Sequence, residues 1–136
     1  MKNLILERAI VFLDLEAAGL NPGSDRIVEM TFMKIHSEGP EEVKSMRVNP
    51  GIPIPPEATK VHGIRDEDVM GEPAFREYAS SLADFLEGCD LGGFGITRYD
   101  VPLLEAEFRR AEVEFSSQGR RIVDALSVYH RLDPRD

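Results

Sequence analysis

Residues 9–16 read Ala-Ile-Val-Phe-Leu-Asp-Leu-Glu, an apolar run that ends in two acids one residue apart. Because side chains alternate between the two faces of a strand, Asp14 and Glu16 are expected to point one way while Leu13 and Leu15 pack on the other side. Two carboxylates side by side repel each other unless they are solvated, share a proton or bind cations. Such an oxygen-only pair suits a hard divalent ion, although it is also what a strand that ends in a polar turn would show.

The composition indicates a globular protein and narrows the functions open to it. With 136 residues, 42% hydrophobic and 30% charged, the chain is expected to form one domain over residues 1–136. The net charge of −9 argues against binding nucleic acid through a basic surface, but it allows an acidic site that meets phosphates through bound metal. Cys89 is the only cysteine and is expected to be a small buried residue. Since no apolar segment approaches the roughly 20 residues of a membrane span, we expect a cytoplasmic protein with no membrane partner.

The first third of the chain predicts an antiparallel meander. Strands are expected at 9–16, at 26–35, where both faces are apolar, and at 43–48, with turns rich in Gly, Asn and Pro between them. The proline-rich segment 49–56 is interpreted as a loop that crosses within one domain. Because the first strand should be central, it needs neighbours on both sides and helices to cover it.

The rest of the chain alternates helices and short strands. Short helical turns are expected at 57–60 and 66–69, a clear amphipathic helix at 73–87 and a buried strand at 89–96. Asp100 opens the next helix, and the local pattern alone favours it as the N-cap. A last short strand is expected at 121–124, followed by a helix through Tyr129 that Asp124 caps, with Leu126 and Val128 packing inward.

Three separated stretches then fit one known pattern in the right order. Residues 12–20 together with 25–29 resemble the first exonuclease motif of the DnaQ-like nucleases, which belong to the DEDD superfamily. Residues 61–68 resemble the segment after its third strand, and residues 93–104 resemble its second motif. The resemblance implies an α/β, ribonuclease H-like fold: a mixed sheet of an antiparallel three-strand meander plus parallel strands, flanked by helices.

The resemblance also implies a chemistry, namely 3′→5′ hydrolysis of phosphodiesters at single-stranded DNA or RNA ends with two Mg²⁺ or Mn²⁺ ions. Asp14 would bridge both ions, Glu16 would help to hold one, and Asp100 would reach the other. The Ala17 backbone would contact the terminal 3′-hydroxyl. The pocket for the terminal base and sugar would be lined by Leu20, His62 and Tyr99, with a satisfied loop histidine as the alternative for His62. A polymerase or another protein is the expected protein partner.

The sequence departs from the family pattern in two places. The third motif, which supplies a further carboxylate and a general base, lies several dozen residues after the second, and the chain is expected to be C-terminally truncated before it. Tyr129 and Asp133 do spell Y-x-x-x-D, but their surroundings resemble the family's preceding strand and helix, and nothing in its spacing makes His130 the base. Ala17 and Ala18 also replace the usual Thr-Thr pair.

These departures leave three hypotheses open. The first is an exonuclease domain that binds Mn²⁺ weakly and turns over slowly or not at all. The second is a noncatalytic module on the same fold that binds a nucleic-acid end or a protein. The third is a core left short of its covering helices, whose exposed apolar surface drives formation of a homodimer or makes the protein unstable.

Overall fold

The computed structural model describes residues 8–19, 21 and 23–125. Its five strands are β1 (Ile10–Ala17), β2 (Ile27–Ile35), β3 (Glu42–Arg47), β4 (Asp90–Gly93) and β5 (Ile122–Asp124). Its four helices are α1 (Pro56–His62), α2 (Asp66–Val69), α3 (Phe75–Leu86) and α4 (Asp100–Arg110). Among these helices, none is long and apolar enough to cross a membrane.

The strands form one mixed sheet in the order β3-β2-β1-β4-β5. The β1–β2 and β2–β3 pairs are antiparallel, which confirms the predicted meander, whereas β4 lies parallel to β1 and β5 parallel to β4. The prediction that the first strand is central is therefore confirmed. Because β1 and β4 run in the same direction, their carboxyl ends meet at one edge of the sheet, and the loops that follow them are brought together there.

The core lies on the face of β1 that carries the odd-numbered residues. Leu13 and Leu15 are buried, as the alternation predicted, and they share one apolar cluster with α3 and α4. Within that cluster the rings of Phe75 and Phe108 pack edge to face with centroids 5.1 Å apart. Cys89 is buried in the same cluster, as predicted. The two helices thus fix β1 from one side and leave Asp14 and Glu16 on the other.

Three element boundaries differ from the prediction by two residues or more. The strand expected at 89–96 ends at Gly93, the helix expected from residue 73 begins at Phe75, and the helical turn expected at 57–60 continues to His62. A Cβ atom at Gly93 would lie 2.8 Å from the Leu13 carbonyl oxygen and 2.5 Å from Ile96, so only glycine allows β4 to come this close to β1. Gly95 then adopts a left-handed φ of 69°, which turns the chain out of the sheet toward α4.

Several sequence predictions lie outside the described residues. These are the role of Leu20, the helix expected after Asp124, and the residues weighed for the third motif and for inward packing: Leu126, Val128, Tyr129, His130 and Asp133. They stay predictions.

Candidate active site

The end of β1 presents its two acids on the face opposite the core. Asp14 is exposed and Glu16 is half-buried, and they lie opposite Thr31 and Glu29 of β2. The regular pairing shifts between Glu16 and Ala17, so a bulge interrupts the ladder directly after the second acid. Bulges of this kind redirect side chains at the rim of a sheet. The strand therefore delivers two carboxylates to one open edge, as the sequence predicted.

Asp100 reaches the same edge from the start of α4. One of its carboxylate oxygens accepts a hydrogen bond from the Leu15 N–H at 3.2 Å, across 85 residues of sequence. The N-cap interpretation of Asp100 is wrong, because Tyr99 occupies the cap position and no side chain caps the helix. The parallel placement of β4 beside β1 brings the loop before α4 onto the end of β1, so that Asp100 points at β1 rather than along its own helix.

The surroundings of Asp100 disfavour its charged form. Burial raises the pKa of the Asp100 carboxyl from its ordinary 3.8 to about 6, and repulsion from Asp14, Glu16 and Asp124 acts in the same direction. The hydrogen bond from Leu15 N–H lowers this pKa and only partly compensates. Every charged neighbour that acts on Asp100 is itself an acid. The mutual repulsion shows that the three predicted acids share one electrostatic environment.

Glu16 experiences the same environment more weakly. Burial raises the pKa of its carboxyl, repulsion from Asp14 and Glu29 adds to this effect, and His62 in its protonated form acts in the opposite direction. Among the described residues, no set of three His, Cys, Asp or Glu side chains is arranged closely enough to hold a metal ion. The donor chemistry nevertheless fits a hard divalent cation, because the acids are oxygen donors whose repulsion a positive charge would relieve.

A cavity of about 660 Å³ opens beside these acids. Of the predicted site residues, Glu16, Ala17, Tyr99 and Asp100 line it, whereas Asp14 and His62 do not. Most of the remaining lining residues are apolar and come from the end of β1, from residues 55–61 and from α4: Leu15, Ala18, Pro55, Ala58, Val61 and Leu103. Gly19, Glu57 and Asp25 complete the wall. The volume is in the range of pockets that enclose a small organic molecule or a single nucleotide.

His62 acts on the backbone of the site rather than on the cavity itself. The Ile64 N–H lies 3.0 Å from His62 Nδ1, which makes Nδ1 an acceptor and places the ring proton on Nε2. Nε2 then donates to the Ala17 carbonyl oxygen at 3.1 Å. This contact fixes the end of β1 just beyond Glu16. The alternative of a satisfied loop histidine therefore describes the hydrogen bonds of His62, although they reach a residue of the predicted site.

Two features of the site were missed from the sequence. Asp124, at the end of β5, accepts hydrogen bonds from the Gly95 and Thr97 N–H groups at 2.8 and 3.2 Å, and so holds the loop that precedes Asp100. The cap predicted for Asp124 involves residues beyond the described range. Val61 is a large apolar residue, 83% exposed, at the cavity wall. In the sequence, Val61 was only the first residue of the stretch 61–68, and nothing local indicated that its side chain would be exposed at a cavity.

Comparisons with known proteins converge on one family. A family model described as an exonuclease matches residues 11–131. DNA polymerase III subunit epsilon of Pasteurella multocida is 30% identical over 64% of this chain and 34% of its own length. DNA polymerase III subunit epsilon of Treponema pallidum is 27% identical over 93% of this chain and 57% of its own length. The chain thus spans about a third to somewhat over half of these curated relatives.

Solved structures agree on the fold. Exonuclease I of E. coli, solved in complex with a dT13 oligonucleotide, superposes with a TM-score of 0.81 over 92% of this chain and 29% of its own. The sequence identity is 18%, so this likeness concerns the fold alone. The predicted ribonuclease H-like arrangement, an antiparallel meander extended by parallel strands, is confirmed.

Proposed function

The chain belongs to the exonuclease family, of the DnaQ type, and on this premise we propose that it removes nucleotides from the 3′ end of single-stranded DNA or RNA by metal-dependent hydrolysis. The observation that carries the proposal is that Asp100 reaches the end of β1, where it accepts from the Leu15 N–H at 3.2 Å and lines one cavity together with Glu16. Burial and the surrounding acids raise the pKa of the Asp100 carboxyl to about 6, which agrees with this arrangement. Perturbed carboxyl groups in a cleft are typical of functional sites, because a fold gains no stability from keeping them there.

The residues that would hold two divalent ions are Asp14, Glu16 and Asp100. When bound, Mg²⁺ or Mn²⁺ supplies an activated water and stabilises the charge on the leaving 3′ oxygen. The ionised carboxylates of the chain provide the binding charge. In the absence of a cation, Asp100 retains its proton up to about pH 6, so we propose that binding is linked to proton release.

The remaining residues of the site would bind and orient the terminal nucleotide. Tyr99 is an aromatic side chain, 49% exposed, at the cavity wall, and such rings stack on bases without regard to sequence. Val61 and Leu103 add apolar surface on either side of the cavity. The family resemblance assigns the Ala17 backbone to the 3′-hydroxyl. The hydrogen bond from His62 would hold that backbone in place while the substrate exchanges.

The protein partner proposed on the same premise is a polymerase. The relatives from Pasteurella multocida and Treponema pallidum are both named as subunits of DNA polymerase III.

Binding of a single strand would not need a basic surface, because the acids would meet the phosphates through the ions they hold.

The first experiment follows release of nucleotides from a 5′-labelled single-stranded oligonucleotide in Mg²⁺ or Mn²⁺. The chain is compared with Asp14→Asn and with Asp84→Asn, a matched control in which the acid is exposed on α3, away from the cavity. We expect slow, metal-dependent shortening from the 3′ end that Asp14→Asn loses and Asp84→Asn keeps. A calorimetric Mn²⁺ titration of the same three proteins separates metal binding from turnover.

Other outcomes would change the assignment. Equal Mn²⁺ binding by the chain and by Asp14→Asn would contradict the proposed ligand role. Saturable, metal-independent binding of single strands that Asp14→Asn leaves unchanged, with no shortening, would favour the noncatalytic module instead.

A further inference from the structure

A second, smaller cavity of about 180 Å³ has a polar lining. It lies where the start of β2 meets the first turn of α3 and the last turn of α4. We call it the arginine cavity; its lining consists of Arg26, Phe75, Arg76, Glu107, Arg110 and Ala111. Arg110 is the last residue of α4 and Asp100 the first, so the helix separates the two along its axis by roughly 15 Å. The arginine cavity is therefore distinct from the acidic site.

The lining of the arginine cavity is positively charged, whereas the protein as a whole is negatively charged. Three guanidinium groups face one carboxylate, so the lining carries a surplus of two positive charges in a chain of net charge −9. Arginine stays protonated at any physiological pH. The α4 carbonyl end reduces this surplus by about half a charge. A considerable positive potential remains, and it favours an anion.

The single carboxylate of the cavity is already engaged. Glu107 is 1% exposed, and its oxygens accept from Arg26 Nε at 3.1 Å and from the Ile27 N–H at 2.8 Å, with an Arg110 nitrogen at 3.4 Å. Arg110 also donates to the Asp25 carbonyl oxygen at 2.8 Å, and Arg76 donates to the Arg110 carbonyl oxygen at 3.2 Å. Each guanidinium carries five N–H donors, and these contacts use one nitrogen of each.

One buried donor in the cavity lining has no acceptor. Arg110 Nε is the only buried side-chain nitrogen or oxygen within the described part of the chain that lacks a hydrogen-bond partner. An unsatisfied buried donor is destabilising, and such an atom commonly marks the place of a water molecule or an ion. The atom belongs to the residue that also contacts Glu107 and the Asp25 carbonyl oxygen.

From these observations we infer that the arginine cavity binds a phosphate dianion, either inorganic phosphate or the phosphate group of a monoester. The volume corresponds to about six water molecules, which admits one phosphate group but is too small for a whole nucleotide. Planar guanidinium forks match phosphate oxygens in pairs. A surplus near two charges matches the dianion that a monoester carries above its second pKa of about 6, rather than a singly charged diester.

The test is a titration of the full chain with methyl phosphate at pH 7.5, without divalent metal and at constant ionic strength. Nitrogen–proton correlation spectra follow the Nε–H signal of Arg110. We expect a saturable shift of that signal with methyl phosphate, and none when NaCl of equal ionic strength replaces it. Dimethyl phosphate, which is singly charged, represents the phosphates of a nucleic-acid strand, and we expect it to bind at least about tenfold more weakly.

Two variants locate the site. Arg76 is exposed, so Arg76→Gln is expected to fold normally and to weaken methyl phosphate binding by about tenfold. Arg109→Gln removes the same charge from an exposed position at the end of α4 that does not line the cavity, and it should change binding less than twofold. The inference fails if the Nε–H signal of Arg110 does not saturate, if Arg76→Gln binds as well as the parent chain, or if dimethyl phosphate binds as tightly as methyl phosphate.

Discussion

Two of the acids on helix α4, Asp100 and Glu107, have opposite surroundings. Asp100 and Glu107 lie about two helical turns apart and therefore share the side of the helix that faces the sheet. Glu107 is buried against Arg26, Arg110 and the Ile27 N–H. Asp100 accepts from the Leu15 N–H and is otherwise surrounded by acids.

The difference shows how one helix can serve structure and chemistry at once. The chain provides its own positive charge for Glu107, which then connects the start of β2 to α4. For Asp100 it provides burial and repulsion, and both destabilise the ionised carboxylate until something outside the chain compensates it. Burial alone does not explain the difference, because Glu107 is the more deeply buried of the two. The sign of the neighbouring charges does.

The largest expected effect on stability comes from removing the charge of Glu107, which the two arginines compensate. In Glu107→Gln the two arginines keep their charges but lose the carboxylate between them, so the free energy of unfolding should fall by about 3 kcal/mol. Urea unfolding measures this loss. Glu105→Gln on the same helix is the matched control: one oxygen of Glu105 accepts both bonds from Ser117, and an amide oxygen can replace it. A control loss as large as that of Glu107→Gln would mean that ion pairing is not what distinguishes Glu107.

The second prediction concerns Asp100, whose charge is not compensated. Removing this charge should stabilise the protein, whereas removing the charge of Glu107 should destabilise it. The folded protein keeps the Asp100 proton up to a pKa of about 6, whereas an ordinary aspartate loses it near 3.8. Between these values the folded state binds more protons than the unfolded state, so the stability that Asp100 contributes is complete below 3.8 and is lost as the pH rises through 6. In Asp100→Asn the amide oxygen can still accept from the Leu15 N–H, and no charge can form.

We therefore expect Asp100→Asn to be more stable than the parent chain at pH 7.5 by about 1–2 kcal/mol, a value discounted for the partial exposure of the residue. At pH 3.5 the two should be equal. The measurement is urea unfolding in metal-free buffer at both pH values, with Asp84→Asn as a control that should show no such difference. A variant less stable than the parent chain at pH 7.5 would show that the Asp100 carboxylate is compensated after all.

The two acids also differ in how far the sequence could predict them. Local periodicity predicted the meander and the central position of β1. It also predicted the alternation of Leu13 and Leu15 with Asp14 and Glu16, because burial on one face imposes the pattern residue by residue. Asp100 was different: its local sequence predicted an N-cap, and only the family resemblance placed it in the site. The deciding contact, with Leu15, spans 85 residues, and no local pattern encodes it.

Long-range contacts explain the other misses as well. Besides Arg110 on its own helix, the partners of Glu107 lie 80 and 81 residues away, and a local pair of this kind does not by itself indicate a buried carboxylate. The early end of β4 depends on how close Gly93 comes to the Leu13 carbonyl, which is a property of strand packing. The hydrogen bonds from the N–H groups of residues 95 and 97 to Asp124 depend on the parallel pairing of β4 and β5, which the neighbours of Asp124 in sequence do not reveal.

The prediction with the smallest expected effect on stability concerns Asp124. This residue repels Asp100 and also holds the loop before it. In Asp124→Asn one backbone N–H loses its acceptor, which should lower the free energy of unfolding by about 1 kcal/mol and speed amide hydrogen exchange at Gly95 or Thr97. The same change removes one negative charge near Asp100, so the pKa of that carboxyl should fall, which a carboxyl-carbon NMR titration measures. Faster exchange with an unchanged Asp100 pKa would show that Asp124 only supports the loop, and that Asp14 and Glu16 together account for the repulsion.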